Sequence, residues 1–410
     1  MLSNKVYIAI FAIFGSMPLV PTTAATAQQE AVLHNFGSVS NDGYDSVPGL
    51  VFDGAGNLYG TTQLGGTLGG GTVFELMPNP SGGWTEKVLH NFGFNGGDGY
   101  YPIGGIVFDA FGNLYGTTLL GGPHRYGTVF ELSPMGGGLW KENLLHGFGL
   151  NKDGQQPFAG LVLDSSGNLY GTTAAGGTYG GGSVFELMQT ASGWAEKVLH
   201  NFSPNGTDGN QPESSLVFDA SGNLYGTTVY GGPLGWGTVF QLTPAVTGPW
   251  TETLLHGFGN GKDGNQPVEA VTFDAAGNLY GAAIGGGDFG FGTVYELKPT
   301  LQGEWTELRL HDFGSARDGR TPYTTIAIDG DGNLFGTTSW GGSYFVGVLF
   351  ELSPQADGSW TERLLHNFIN NGIDAYNPNA GVILDTSSNL YGTSVAGGSH
   401  NSGTVFEFEP

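Results

Sequence analysis

From residue 31 onward the apolar positions of this chain fall into short runs such as "AVLHNF", "GLVFD", "NLYGTT" and "GTVFEL", separated by Gly-, Asn- and Asp-rich stretches. The runs are rich in Val, Leu, Phe, Tyr and Thr. None carries apolar residues at helical spacing over a helical length, so they read as strands. One succession returns seven times: a strand carrying His, a polar loop, a "GIVFD"-like strand, an Asp-x-x-Gly-Asn element, "LYGTT", a variable Gly-rich loop, "GTVFEL", and a loop ending in Trp. His34, His90, His146, His200, His256, His311 and His366 mark a period of 54 to 56 residues, and Trp84, Trp140, Trp194, Trp250, Trp305 and Trp360 mark the last joint. Four strands per copy give about 28 in all, the pattern of an all-β, seven-bladed β-propeller with four-stranded blades.

The ends of the repeat region are complementary. It opens on "AVLHNF", the strand that elsewhere follows the Trp, and stops at "GTVFEFEP", the strand that precedes it. In a ring the N-terminal strand Val32–Phe36 completes the last blade beside Gly403–Phe408, and closure removes the edges an open array would expose. An open β-solenoid, the rival architecture, requires no such complementarity.

The Asp-x-x-Gly-Asn element lies between strands only a few residues apart, so it reads as a tight hairpin in which Gly and Asn accept positive φ and Asp caps the backbone. Copy six, "DGDGNL" at 329–334, has Asp329, Asp331 and Asn333 in a calcium-loop order. It then places Leu334 where that loop needs Gly and Trp340 where it needs a bidentate Glu. The turn reading is preferred, and no metal or cofactor is expected. The repeat histidines read as hydrogen-bonded packing residues joining blade to blade rather than as ligands. Their companions would be Asp42, Asp98, Asp153, Asp208, Asp263, Asp318 and Asp374. Those carboxylates read as loop caps, with a ring of calcium ligands as the alternative; single carboxylates a blade apart cannot share one ion's ligand set.

"GGTLGGGTVFEL" at 65–76 and "GGPHRYGTVFEL" at 121–132, with their counterparts, resemble the GloVer (Gloeobacter–Verrucomicrobia) tandem repeat of exported bacterial proteins across residues 31–410. The resemblance implies an extracellular repeat protein, sometimes with a C-terminal sorting anchor, which this chain is expected to lack as it ends at Pro410. It brings no catalytic residue set. The motif departs at Val348–Leu349 and at Phe408.

Composition narrows the function. Lys+Arg number 12 against Asp+Glu 36, a formal net charge of -24, which repels nucleic acid and anionic membrane and excludes both as partners. There is no Cys, so no disulfide supports the fold. Residues 1–27 read as a secretory signal: one Lys, the apolar stretch "VYIAIFAIFGSMPLV", and "ATA" before Gln28. The mature domain, 28–410, is therefore expected outside the cell as a soluble monomer.

Strands and hairpins barely vary between copies, whereas the loops after "LHNF" and after "GTT" do, and in a four-stranded meander both fall on one face. Function concentrates on such loops. Blade two contributes Tyr100, Tyr101, His124, Arg125 and Tyr126, and blade three Tyr179. Blade four adds Tyr230 and Trp236, blade five Phe289 and Phe291, blade six Trp340, Tyr344 and Phe345, and blade seven His400. Aromatic platforms with few charges suit sugar rings, which points to a non-catalytic binding or cell-surface module, with a glycan or other extracellular ligand as partner. The bland alternative is that these aromatics pack over the blade tops as local core. The rival function is a carbohydrate-active or lactone-hydrolysing enzyme using the channel, with His124, Arg125, Asp288, Arg317, Arg320 and His400 as its unlike polar groups. No G-x-S-x-G or HExxH motif supports it.

Overall fold

A computed structural model of the protein describes residues 29–410 except 48, 95–96, 151, 246–249 and 316. The secretory signal expected at 1–27 lies outside the described residues. Seven four-stranded antiparallel blades form a β-propeller. In the first, Val51–Phe52 lies innermost, followed outward by Leu58–Thr62, Gly69–Pro78 and Trp84–Gly93. The ring closes as the chain ends require. Gln29–Asn35 pairs antiparallel with Thr404–Glu409, with Val32 opposite Phe406 and a bulge before His34. The Phe36 amide then donates to the Gly403 carbonyl at 3.0 Å.

The core lies between blades rather than within them. Tyr59, Val73 and Phe92 of blade one pack against Ile106, Leu114, Phe130 and Leu132 of blade two, with Trp140 at the edge. Further clusters of the same kind repeat this around the ring. The closing one joins Phe36, Tyr391 and Val405 to Leu50, Leu58, Phe74 and Leu76. The Gly of "LYGTT" follows from this packing: a Cβ on Gly60 would stand 2.7 Å from the buried Phe74 ring.

Each Asp-x-x-Gly-Asn element, Asp-x-x-Ser-Asn at 385–389 in the last copy, is a hairpin held by its Asp carboxylate. In blade four Asp219 accepts from the backbone amides of Ser221 and Asn223 (2.8 and 2.9 Å), from Asn223 Nδ2 (2.7 Å) and from the Tyr225 hydroxyl (3.0 Å). Copy six keeps the scheme without a Tyr, with Phe335 in its place. The turn reading holds: each Asp spends three or four of its acceptor sites on its own hairpin, all four in blade four and three in copy six.

Five of the repeat histidines hydrogen-bond the Asp of the following loop, and His34 and His90 lie near theirs without a hydrogen bond. His146 Nε2 meets Asp153 Oδ2 at 2.9 Å, His256 meets Asp263 at 3.0 Å, and the other five pairs stand 3.1 to 3.7 Å apart. The Asp residues also cap their loops, as where the Ser203 amide donates to Asp208 at 2.8 Å. One expectation needs correcting: these carboxylates are not single. A Glu from the outer strand of the following blade reaches several of the pairs, so three segments converge where the sequence suggested one.

A second feature was read as plain loop. In every blade two residues of the approach segment pair with two of the loop after "GTT", as Gly43–Tyr44 does with Leu64–Gly65. These ribbons place both variable loops on one face, opposite the Asp-x-x-Gly-Asn hairpins.

Candidate functional site

The chain reaches the propeller axis through a residue held in the left-handed region in every blade: Asp45, Tyr101, Gln156, Gln211, Gln266, Thr321 and Asn377, with φ between 52° and 64°. Non-Gly residues hold this conformation only when their surroundings over-determine it. Here both backbone groups are committed. The Gln266 amide donates to the Trp236 carbonyl of the preceding blade's rim loop (2.8 Å), and its carbonyl accepts from the Ile284 amide (3.2 Å). All seven copies repeat the pair. Residues two to four places further on supply much of the wall around the axis, as Ile103–Gly105 and Phe158–Gly160 do. The first Thr of "GTT" fixes them from the blade before, as Thr172 Oγ1 does on Ser214 O (3.0 Å) and Thr227 Oγ1 on Glu269 O (3.1 Å).

Those segments enclose an axial cavity of about 230 Å³. Its wall is not sevenfold. Blades one, two, three and seven present Val47, Ile103, Phe158 and small residues such as Gly105 and Gly381; blades four, five and six present Glu213, Ser215, Glu269, Tyr323 and Thr325. Thr325 Oγ1 donates to Glu269 Oε2 at 3.2 Å, and Gln211 Nε2 donates to Glu213 Oε1 at 2.5 Å. Glu269 is ringed by protein yet only half-buried, being open to the cavity. Burial pushes its carboxyl up to about 7; the Thr325 hydrogen bond opposes this and the Glu213 charge adds to it. Burial also raises Glu213 against the Gln211 hydrogen bond. Tyr323 is raised by burial and then by both carboxylates, so its hydroxyl stays protonated. A carboxylic acid near neutrality beside a second carboxyl, two hydroxyls and an apolar facing wall can exchange hydrogen bonds with a polyol or move a proton.

Sequence reasoning missed this arc. The signal was present as "QPESS", "QPVEA" and "TPYTT" standing where other copies read "YPIGG", "QPFAG" and "NPNAG".

The rim residues divide into two groups. Tyr100 and Tyr101 meet edge to face (4.9 Å) and pack at steep angles on Phe94 (4.8 and 5.9 Å), a local cluster at the approach to blade two. By contrast Tyr126, Tyr179, Tyr230, Phe289, Phe291, Tyr344 and Phe345 are exposed, with Trp236 at 48% and Trp340 at 52%. The rings of this second group are part-covered as well as exposed: Tyr126 lies against Gly149, Trp236 against Gly259 and Phe291 against Gly314. The polar candidates are not brought together. Asp288 pairs with Lys262 (3.0 Å) and Arg309 (3.2 Å), Arg320 lies over the Phe291 ring at 4.2 Å, and His400 bonds Ser399 (2.9 Å). His124 and Arg125 sit on blade two's rim, and neither they nor Asp288, Arg317, Arg320 or His400 line the cavity.

The Gloeobacter/Verrucomicrobia repeat model matches residues 19–233 and 216–410. The chain belongs to that repeat family. A search of curated proteins returns no match. Among solved structures the GloVer-repeat chain is similar to a protein from Bacteroides uniformis ATCC 8492 described provisionally as a 6-phosphogluconolactonase. The TM-score is 0.51 at 13% identity, over 82% of this chain and 88% of that one. It is also similar to a protein from Thermus thermophilus described provisionally as an oxidoreductase (glucose dehydrogenase), with TM-score 0.43 at 13% identity over 93% and 100%. At that identity the first likeness speaks for the propeller fold alone.

Proposed function

We propose that this GloVer-repeat protein is exported and acts as a binding module for a polyhydroxylated ligand, of which a glycan is the fitting class, seated on the rim face over blades four to six. One observation carries this reading: the polar arc of the channel falls on the blades that carry the two exposed rim Trp residues, with further exposed rim Tyr on blades two and three. The polar arc of the channel is Glu213, Ser215, Glu269, Tyr323 and Thr325, and the exposed loop aromatics of those blades include Trp236, Phe291 and Trp340. The two are joined by backbone: Trp236 O accepts from Gln266, three residues before Glu269, and Phe291 O accepts from Thr321, two before Tyr323. Exposed aromatics grouped on one face mark interaction sites, and a few polar groups among apolar walls fix a ligand's orientation. The test is a glycan array probed with residues 28–410. Binding to uncharged, polyhydroxylated glycans is expected, since the acidic chain disfavours anionic ones; an array without hits refutes the reading.

The channel carboxyls favour one second reading, hydrolysis of a sugar or lactone with Glu269 as the acid and Glu213 as the base. Glu269→Gln separates the two. For a binder, affinity in the wild type changes as pH passes through about 7 and the variant flattens that dependence, with no product formed. For a hydrolase, product appears with wild type and is lost with the variant.

A further inference from the structure

Between consecutive blades the outer strands bring together an imidazole and two carboxylates. At the closure, His34 comes from the N-terminal strand, Asp42 from the loop after it and Glu86 from the outer strand of blade one. One ligand atom of each lies within 4.8 Å of the others, and the trio recurs around His90, His200, His311 and His366. The Asp42 side chain is fully buried. Its Oδ1, Glu86 Oε1 and His34 Nε2 are all buried without a hydrogen-bond partner, as are Asp98 Oδ1, Glu142 Oε1 and His90 Nε2 one blade on. Uncompensated polar atoms in such numbers are costly, and their repetition at equivalent places marks a built feature.

The spacing says what would satisfy them. His34 Nε2 and Asp42 Oδ2 are 3.4 Å apart and His90 Nε2 and Asp98 Oδ2 3.7 Å, in neither case as a hydrogen bond, whereas His311 Nε2 hydrogen-bonds Asp318 at 3.1 Å and lies 3.6 Å from Glu362. Two ligands of a tetrahedral ion, each about 2.1 Å from it, stand about 3.4 Å apart. A proton bridges two of three such atoms; a cation engages all three. One neutral imidazole and two carboxylates balance a divalent charge, and the donor set is that of a first-row metal rather than calcium, which needs six to eight oxygens.

We infer that the blade interfaces of this propeller hold divalent first-row cations, zinc being the best match, each bound by a His–Asp pair and the Glu of the next blade. Five trios are drawn in closely enough. His200, His311 and His366 also hydrogen-bond their Asp, at 3.1 to 3.4 Å, and the shorter pairs of His146 and His256, at 2.9 and 3.0 Å, are not joined by a Glu within the same reach.

The experiment loads chelator-stripped protein with Zn²⁺ alone and measures bound metal by mass spectrometry after gel filtration, with melting followed in parallel. Up to five ions per chain and a raised melting temperature are expected. His34→Gln and Glu86→Gln should each remove one ion and leave the others. If stripped wild type takes up no zinc, the trios are proton-bridged only and the inference falls. Uptake that both variants leave unchanged, or that Ca²⁺ competes away equally, would assign the metal to the acidic surface and also overturn it.

Discussion

A chain beginning at Gly37 is expected to lose most of the propeller's stability and to associate. The deletion removes the whole outer strand of blade seven and its ladder to Thr404–Glu409. It also removes Phe36, fully buried against Phe74 in the closing cluster. Emptying one buried Phe site costs about 3–5 kcal/mol, and each lost ladder bond about 0.5–1.5 kcal/mol. Together these approach the entire net stability of a typical domain. The exposed edge at Thr404–Glu409 then templates pairing between chains. Calorimetry with light scattering checks this. A truncated chain that melts with the full mature one and stays monomeric would mean that the N-terminal strand does not close the ring.

Asp219→Ala should be among the more damaging single changes on the hairpin face, as should the same change at the equivalent Asp109, Asp164 or Asp274. It strands two backbone amides, Asn223 Nδ2 and the Tyr225 hydroxyl at once. Leaving several donors short of partners costs about 1–3 kcal/mol each where buried and less where water replaces the carboxylate, so a loss of about 2–4 kcal/mol is expected. The same turns set the acid limit of the fold. Burial opposes ionisation of Asp109, Asp164, Asp219 and Asp274, but the Asn and backbone hydrogen bonds outweigh it and hold all four below the usual 3.8. A depressed native value means stability that is present above 3.8 and lost as pH falls through the native values. Thermal melts from about pH 5 down to about pH 2 should therefore drop steeply for the wild type and less for Asp219→Ala. Equal slopes, or a variant as stable as wild type at neutral pH, would remove the carboxylate from its role.

The architecture was legible because seven copies state the same pattern and the chain ends supply complementary fragments. The short ribbons were not. Pairs such as Gly43–Tyr44 with Leu64–Gly65 are two residues long and depend on Gly65 at φ 85°, a feature indistinguishable in sequence from any Gly-rich loop. The rim was legible through variation between copies. The channel arc lay in the same variable approach loops, but Glu213, Glu269 and Tyr323 carry no motif that marks them, and distance from the axis is a property of the closed ring. Glu86 was hidden for a related reason. On an outermost strand it reads as solvent-facing alternation, whereas the curvature of the ring turns it toward the Asp42 and His34 of the blade before.

The central claim is that ligand binding belongs to blades four to six. Calorimetric titration of an array-identified glycan tests it on wild type, Trp236→Ala, Trp340→Ala, and Phe111→Ala, whose 87%-exposed ring lies on the opposite, hairpin face. Each Trp change should weaken binding by about 1–3 kcal/mol with melting unchanged, as for other aromatic anchors, and Phe111→Ala should leave affinity as it was. Unaltered affinity in both Trp variants, together with a fall in their thermal stability, would contradict the account.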